Sequence, residues 1–317
     1  MPTKTPFLLA LVCTLSLAAS AHAKDQTHAI VDDAWSGASG YHFSGRLTEV
    51  HAVPETGRGK MRTLYRNTRQ LLTSGEQGAV TWRVADREWS LRTDEDGIWE
   101  LAMNQPLALT PGWHEIECEP AASSPAGLLV VDPANRLGII SDIDDTILVS
   151  HVLDKSALLK NSLTVPPLQR DAVPGMAALY QRLLKRNPAP ESSAVFYVSA
   201  SPRQLTDNLR AFLGSQGFPR GVLRLKDVSS HGEGTLLGKN QQDYKRRVLE
   251  AVFLAYPQVR FALFGDDGEQ DPEIYAALRE KFPAQIEGIW IRRVNPDPQR
   301  ARFPDQADVA ELLAPPR

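Results

Sequence analysis

The residues of this chain best suited to chemistry are Asp142, Asp144 and Asp145, which follow the apolar run Gly138-Ile139-Ile140 with only Ser141 between. An extended backbone puts Asp142 and Asp144 on one side. Like charges that close repel, so the pair requires a cation or a shared proton. Two other apolar runs also end in reactive types, at Ser199-Ala200-Ser201-Pro202 and at Gly265-Asp266-Asp267-Gly268-Glu269-Gln270-Asp271. Lys245 lies on a helical stretch that leads into the second of these. Together these types suit a phosphate ester. One carboxylate can attack phosphorus and carry the phosphoryl group. A second, kept protonated by neighbouring negative charge, can protonate the leaving alkoxide and then activate water. Mg²⁺ takes oxygen ligands and keeps several waters, and Asp142 and Asp266 from separate strands can hold it. A serine hydroxyl and the backbone N–H groups near Pro202 can cradle phosphate oxygens, and a lysine can neutralise transition-state charge.

Taken singly, each feature has an ordinary explanation. The Asp-x-Asp pair can be a turn or a structural calcium loop, Ser199 a common strand end, and Lys245 one of several basic residues on its helix. An EF-hand is excluded, because its sixth loop position is Ile147 rather than Gly and its twelfth is Leu153 rather than Glu. Order, spacing and strand context carry the joint reading.

The elements that must position these residues can be read from the hydrophobic pattern. Apolar runs at 137–141, 194–198, 259–264 and 286–291 read as buried strands, with a shorter one at 220–226. Helical stretches lie between them at 174–185, 203–213, 245–255 and 272–282. Ser201-Pro202 has the form of an N-cap followed by proline at the first helical position. Such alternation predicts an α/β domain, a parallel sheet with helices on both faces, whose strand ends gather at one crevice. The tail after Val294 is rich in proline, with one short helix expected at 307–313. Residues 24–133 differ. Short alternating strands at 41–47, 79–84, 89–92, 98–101, 113–117 and 128–131, separated by turns at 93–97 and 111–112, predict a β-sandwich. Residues 58–77, basic at their start, fit a helix or an irregular excursion. Asp94-Glu95-Asp96 before Gly97 reads as an acidic turn rather than a calcium site. The domains expected are therefore 24–133 and 134–317.

The chain of 317 residues is 42% hydrophobic and 23% charged, an ordinary globular balance with enough apolar material for a sizeable core. A net charge of −3 and a pI near 6.2 give no nucleic-acid footprint. No protein partner is predicted.

The second domain resembles the haloacid dehalogenase superfamily through Asp142-Ile143-Asp144-Asp145-Thr146, Ser199, Lys245 and Gly265-Asp266 with Asp271 nearby. More narrowly, it is similar to the phosphatidate phosphatase family typified by the yeast actin-patch protein, with its bacterial relatives. Ile140-Ser141 before the first motif, Phe196-Tyr197-Val198-Ser199-Ala200-Ser201-Pro202, the stretch from Phe264 to Tyr275, and Ile291-Arg292-Arg293-Val294 carry that likeness. It covers most of residues 134–294. The β domain, with Ser44-Gly45-Arg46 and Pro111-Gly112-Trp113-His114, is similar to the region preceding this domain in bacterial members. The resemblance implies a Rossmann-like catalytic domain with a small cap or none. It makes Asp142 the nucleophile, Asp144 the acid/base, and Ser199 and Lys245 the phosphoryl-binding pair, with Thr146 and Ser201 as further phosphate-binding candidates. It places Mg²⁺ on Asp142, the backbone carbonyl of Asp144, and Asp266, with Asp271 beside them. The implied substrate is phosphatidate, hydrolysed to diacylglycerol and phosphate, or another phosphomonoester. Two positions depart from the pattern: Arg203 stands where relatives commonly have an aromatic, and Tyr244 where many have His. Residues 148–171 can form a flap, meeting a lipid surface through 157–159 and 163–168, or they can pack on the sheet. His151, Lys155, Lys160 and Arg170 then either meet a headgroup in peripheral membrane contact or are solvated loop charges.

The first residues read as a signal peptide: Lys4, an apolar run at 7–19, and Ala21-His22-Ala23 as a small-x-small cleavage site. The run is too short to span a bilayer, and no other stretch is long and apolar enough. Cleavage leaves 317 − 23 = 294 residues and removes Cys13, so Cys118 stands alone without an intramolecular disulfide. The expectation is export across the inner membrane into the periplasm. Expressed with its leader in a bacterial host, the protein recovered outside the inner membrane should begin at Lys24 on N-terminal sequencing; recovery there of uncleaved chain would contradict the cleavage site.

Overall fold

The computed structural model describes residues 26–50, 75–105, 107–149, 170–227 and 241–314. The signal sequence, most of the basic excursion at 58–77, and all but the ends of the 148–171 stretch lie outside the described residues.

The C-terminal half is built on six parallel strands: β9 (Leu137–Ser141), β10 (Val195–Pro202), β11 (Val222–Lys226), β12 (Arg260–Asp266), β13 (Ile286–Arg292) and β14 (Gln306–Asp308). Their order across the sheet is β11-β10-β9-β12-β13-β14. The chain therefore runs outward from β9 in one direction and then restarts at β12 on its other side. The crevice at such a reversal is where open α/β sheets bind ligands. Helices α1 (Met176–Leu184), α2 (Thr206–Ser215), α3 (Gln241–Ala255), α4 (Asp271–Lys281) and α5 (Val309–Leu313) cover the two faces.

Alternation along β9 shows how one short strand serves both layers. Ile139 packs with Met176, Leu179 and Tyr180 of α1, Leu209 and Phe212 of α2, and Val309 of α5. Ile140, pointing the other way, packs with Leu249, Val252 and Phe253 of α3 and Ile274 and Leu278 of α4. The strands are apolar on both faces because both are covered. The proline-rich tail holds more than the short helix expected of it, since it also adds β14 to the sheet edge against Ile289, Trp290 and Ile291.

Residues 26–130 form β1 (Gln26–Val31), β2 (Ala34–Gly37), β3 (Gly40–Val50), β4 (Ala79–Val84), β5 (Arg87–Arg92), β6 (Ile98–Met103), β7 (Gly112–Glu119) and β8 (Ala126–Val130). These strands are all antiparallel except for the β2–β8 pair. Seven of them run as one curled path, with β6 added beside β3, rather than as the two separate sheets of the expected β-sandwich. The cause is β7, which pairs with β8 through residues 112–116 and with β4 through 117–119. The path half encloses a core of Phe43, Trp82, Trp99 and Leu128. Trp82 stacks on Trp99 with ring centres 5.0 Å apart. Asp94 closes the acidic turn, its Oδ1 accepting from the N–H groups of Asp96 and Ile98 at 3.0 and 2.8 Å. Burial pushes the Cys118 thiol up to about 11, which leaves it a poor nucleophile.

The two halves share a core. Trp35, Leu129 and Val131 of the β half belong to the same buried cluster as Ile140, Phe196 and Phe253, and Trp35 meets Phe196 edge-on at 5.8 Å. The chain should therefore unfold as one unit. In urea, tryptophan fluorescence (reporting mostly on the β half) and far-ultraviolet circular dichroism (reporting mostly on the helices) should give coincident curves. Trp35→Ala should lower stability by about 3–5 kcal/mol in both, and a shift in one curve alone would refute the shared core.

Candidate active site

The reactive residues meet at the carboxyl ends of β9, β10 and β12, where the sheet order reverses. Asp142 leaves β9 with its N–H bonded to the Phe264 carbonyl of β12 at 2.9 Å, so the sheet ladder sets the height of its side chain. Thr146 donates to Asp142 Oδ2 at 3.1 Å, and Lys245 Nζ donates to Oδ1 at 2.7 Å. Lys245, the fifth residue of α3, is buried. Its ammonium also reaches Asp271 Oδ1 at 2.8 Å and Glu269 Oε2 at 3.3 Å.

Asp266 ends β12, and its Oδ1 accepts from the N–H groups of Gly268 and Glu269 at 2.7 and 3.1 Å. Its Oδ2 is buried and has no hydrogen-bond partner among the described residues. Asp271 opens α4, fully buried beneath it. The approach is close enough to exclude a side chain at 265: a Cβ added to Gly265 would lie 2.6 Å from the Asp271 Cβ. Asp142, Asp266 and Asp271 each offer a carboxylate oxygen, and these lie within 4.8 Å of one another.

Charge in this cluster is unbalanced. Burial pushes the Asp142 carboxyl well above its usual range, against the pull of Lys245 and with added repulsion from Asp271, Asp266 and Glu269. Burial does the same to Asp266, reinforced by Asp271. Burial alone would lower the Lys245 ammonium, but Asp142, Asp271 and Glu269 outweigh it and hold it well above its usual range. One ammonium thus faces four carboxylates. A hard divalent cation suits the deficit: three oxygens converge, one buried oxygen is orphaned, and all the donors are of the type Mg²⁺ prefers.

Asp144 has a different setting. Its Oδ2 accepts from Ser199 at 3.0 Å and from Ser201 at 2.9 Å. Burial raises its pKa, and the two hydroxyls offset only part of the rise. A carboxyl inclined to keep its proton is what a general acid requires. Ser199 Oγ in turn accepts from the Ser201 N–H at 2.9 Å.

All eight residues expected at the site are brought together, though not on the same partners. Asp142, Asp266, Asp271 and Lys245 form one cluster, with Thr146 against Asp142. Ser199 and Ser201 attend Asp144, whose side chain lies outside the acidic triad. Asp145 sits in a left-handed turn (φ 57°) and gives its carbonyl to Arg292 at 2.6 Å. Asp267 binds the N–H groups of Val294 and Asn295 and so fixes the loop after β13. Two residues at the site carry no signal of a catalytic role in the sequence. Glu269, visible there only as one acid in a polar run, reaches Lys245. Arg170, read as a loop or headgroup charge, is buried and faces Asp144 electrostatically. Of the two departures, Arg203 is buried and Tyr244 is half-buried with its hydroxyl shielded from solvent. Arg203 lies against carboxylates of both halves of the chain.

Comparison with known proteins bears on the same residues. Residues 137–293 match the family model described as "Phosphatidate phosphatase APP1, catalytic domain". Phosphatidate phosphatase APP1 of Saccharomyces cerevisiae is 32% identical over 157 residues, which cover 49% of this chain and 26% of the yeast protein. An uncharacterized protein of Schizosaccharomyces pombe is 30% identical over 169 residues, 51% of this chain and 26% of that one. The chain thus aligns with about a quarter of the length of each relative. Among solved structures, a chain of the Pnkp1/Rnl/Hen1 complex overlaps at a TM-score of 0.34 and 15% identity, over 58% of this chain and 52% of that one, too distant to inform the fold. Over residues 137–293 the chain resembles the phosphatidate phosphatase APP1 family, and this is the stretch whose strand and helix ends form the buried acidic site.

Proposed function

We propose that this protein is a Mg²⁺-dependent phosphatase that hydrolyses a phosphate monoester through an aspartyl-phosphate, with phosphatidate as its substrate and diacylglycerol and phosphate as products. The observation that best supports this is the separation of two neighbouring carboxylates into different environments. Asp142 is drawn into a cluster with a lysine and two further acids, whereas Asp144 lies outside that cluster and is held by two hydroxyls. Burial raises both carboxyls, but a cation held in the cluster would favour ionised Asp142, the nucleophile, and leave Asp144 the acid.

In this reading Asp142 attacks phosphorus, and the bond to the lipid alkoxide breaks as Asp144 gives it a proton. Asp144, now ionised, takes a proton from water, which attacks the aspartyl-phosphate and releases phosphate. Lys245 turns part of its charge to the phosphoryl oxygens, and Ser199 donates to them. Asp142, Asp266 and Asp271 would hold Mg²⁺, joined by the Asp144 carbonyl as the family resemblance implies. When bound, the ion would supply positive charge to the transferring group. The strand order and the placement of these acids also favour a haloacid dehalogenase-type domain. The choice of phosphatidate rests on the yeast relative. Export to the periplasm and peripheral contact with lipid complete the proposal.

Phosphate release should be compared on phosphatidate in mixed micelles, nucleotides and sugar phosphates. Phosphatidate should turn over fastest; faster soluble substrates would make this a soluble phosphomonoesterase. Failure on every substrate would instead favour a non-catalytic surface-binding protein. Asp142→Asn should cost about a thousandfold or more in kcat, and wild-type rates from a folded variant would eliminate the covalent route. Chelation should abolish turnover and added Mg²⁺ restore it.

A further inference from the structure

The segment that carries Ser199 and Ser201 is only partly held by its own sheet. β10 pairs with β11 in register through Ser199 opposite Leu225, then shifts, with Pro202 next paired to Lys226. Ala200 and Ser201 thus lie in an irregularity of the ladder, where backbone pairing is disrupted. Just past Pro202 comes Arg203, only 1% exposed. Its Nη2 lies 3.2 Å from Asp32 Oδ2 and 3.0 Å from Asp227 Oδ2, and its Nη1 donates to the Gly45 carbonyl at 3.0 Å.

Two of those three acceptors belong to the β half. Asp32 is itself fixed, since its Oδ2 also accepts from Ser44 Oγ at 2.5 Å and from Arg224 Nη1 at 3.4 Å. Arg224, on β11, donates to Ser44 as well, at 2.6 Å. A buried ionic cluster of this kind is no gain in stability over apolar packing. What it provides is direction, because a planar guanidinium with three acceptors has little freedom to turn.

We propose that Asp32 and Arg203 are positioning residues: through this pair the β half holds the Ser199–Ser201 loop on Asp144, so that turnover, more than substrate capture, depends on the β half. This rests on the phosphatase reading above.

The test uses the whole chain and phosphatidate in mixed micelles. Arg203→Lys keeps the charge but cannot span three acceptors. It should lower kcat about tenfold or more, as small misplacements of catalytic groups do, with KM changed by less than about twofold. Amide hydrogen exchange at residues 199–204 should speed up while the rest of the sheet stays protected. Arg210→Gln is the control. Arg210 also ties the halves together, to Asp33 at 3.3 Å, the Val31 carbonyl at 2.8 Å and Ser124 at 2.7 Å, but it does not touch the loop. It should lower the melting temperature and leave kcat alone. If Arg203→Lys folds and keeps the wild-type kcat and exchange, or if Arg210→Gln lowers kcat as much, the positioning role is overturned. If the lysine variant does not fold, Asp32→Asn with Arg203→Gln, which removes one charge of each sign, is read in the same way. If the wild type hydrolyses no phosphomonoester, the phosphatase reading fails, and exchange at 199–204 still decides whether the pair holds the loop.

Discussion

The structure depends on one electrostatic constraint: several carboxylates must be buried side by side with, among the described residues, a single ammonium between them. Removing a charge from water is costly unless donors replace the water. The architecture supplies those donors from different elements. Thr146 and Lys245 serve Asp142, backbone N–H groups of the 268–269 turn serve Asp266, and two serines serve Asp144. No single strand or helix could do this, so β9, β10, β12 and the starts of α3 and α4 must end at one place. Reversal of strand order between β9 and β12 creates that place. The residual imbalance, with Asp266 Oδ2 still unsatisfied among the described residues, is the opening for a divalent cation.

The β half is bound into this arrangement more deeply than a typical neighbouring domain. Interfaces between domains of one chain are usually polar and permit relative motion. Here Trp35 and Leu129 lie in the same apolar cluster as the sheet residues beneath the site. Beside that apolar contact, buried Arg203 and Arg224 and half-buried Arg210 each cross to a carboxylate of the other half.

Much of the site was legible in the sequence because its residues interrupt strong patterns. Apolar strands that end abruptly in acids or serines declare both their boundary and their chemistry. Lys245 could be placed because the helix that carries it feeds directly into β12. What was not legible lay in contacts between distant parts of the chain. Arg203 and Arg224 look like ordinary surface charges until Asp32 is seen against them, and nothing local marks Asp32 as their partner. β1 and β2 carry little signal for a related reason: the acidic pair Asp32-Asp33 between them resembles a solvated turn, although both residues are buried. β14 is three residues long in a proline-rich stretch, and only its docking against β13 makes it a strand. The single curled path of the β half arises from the change of partner within β7, which alternation alone cannot reveal.

Helix α3 carries Lys245 near its amino end, and its last residue, Ala255, gives its carbonyl to the Ala38 N–H of the β2–β3 hairpin at 2.7 Å. The hairpin thus caps a helix terminus that would otherwise leave carbonyls unsatisfied. A helix of 15 residues is about 22 Å long and stiff along its axis. One stiff element thus joins the β half's hairpin at its carboxyl end to the ammonium of the acid cluster near its amino end, so the anchorage of the lysine is shared by both halves of the chain.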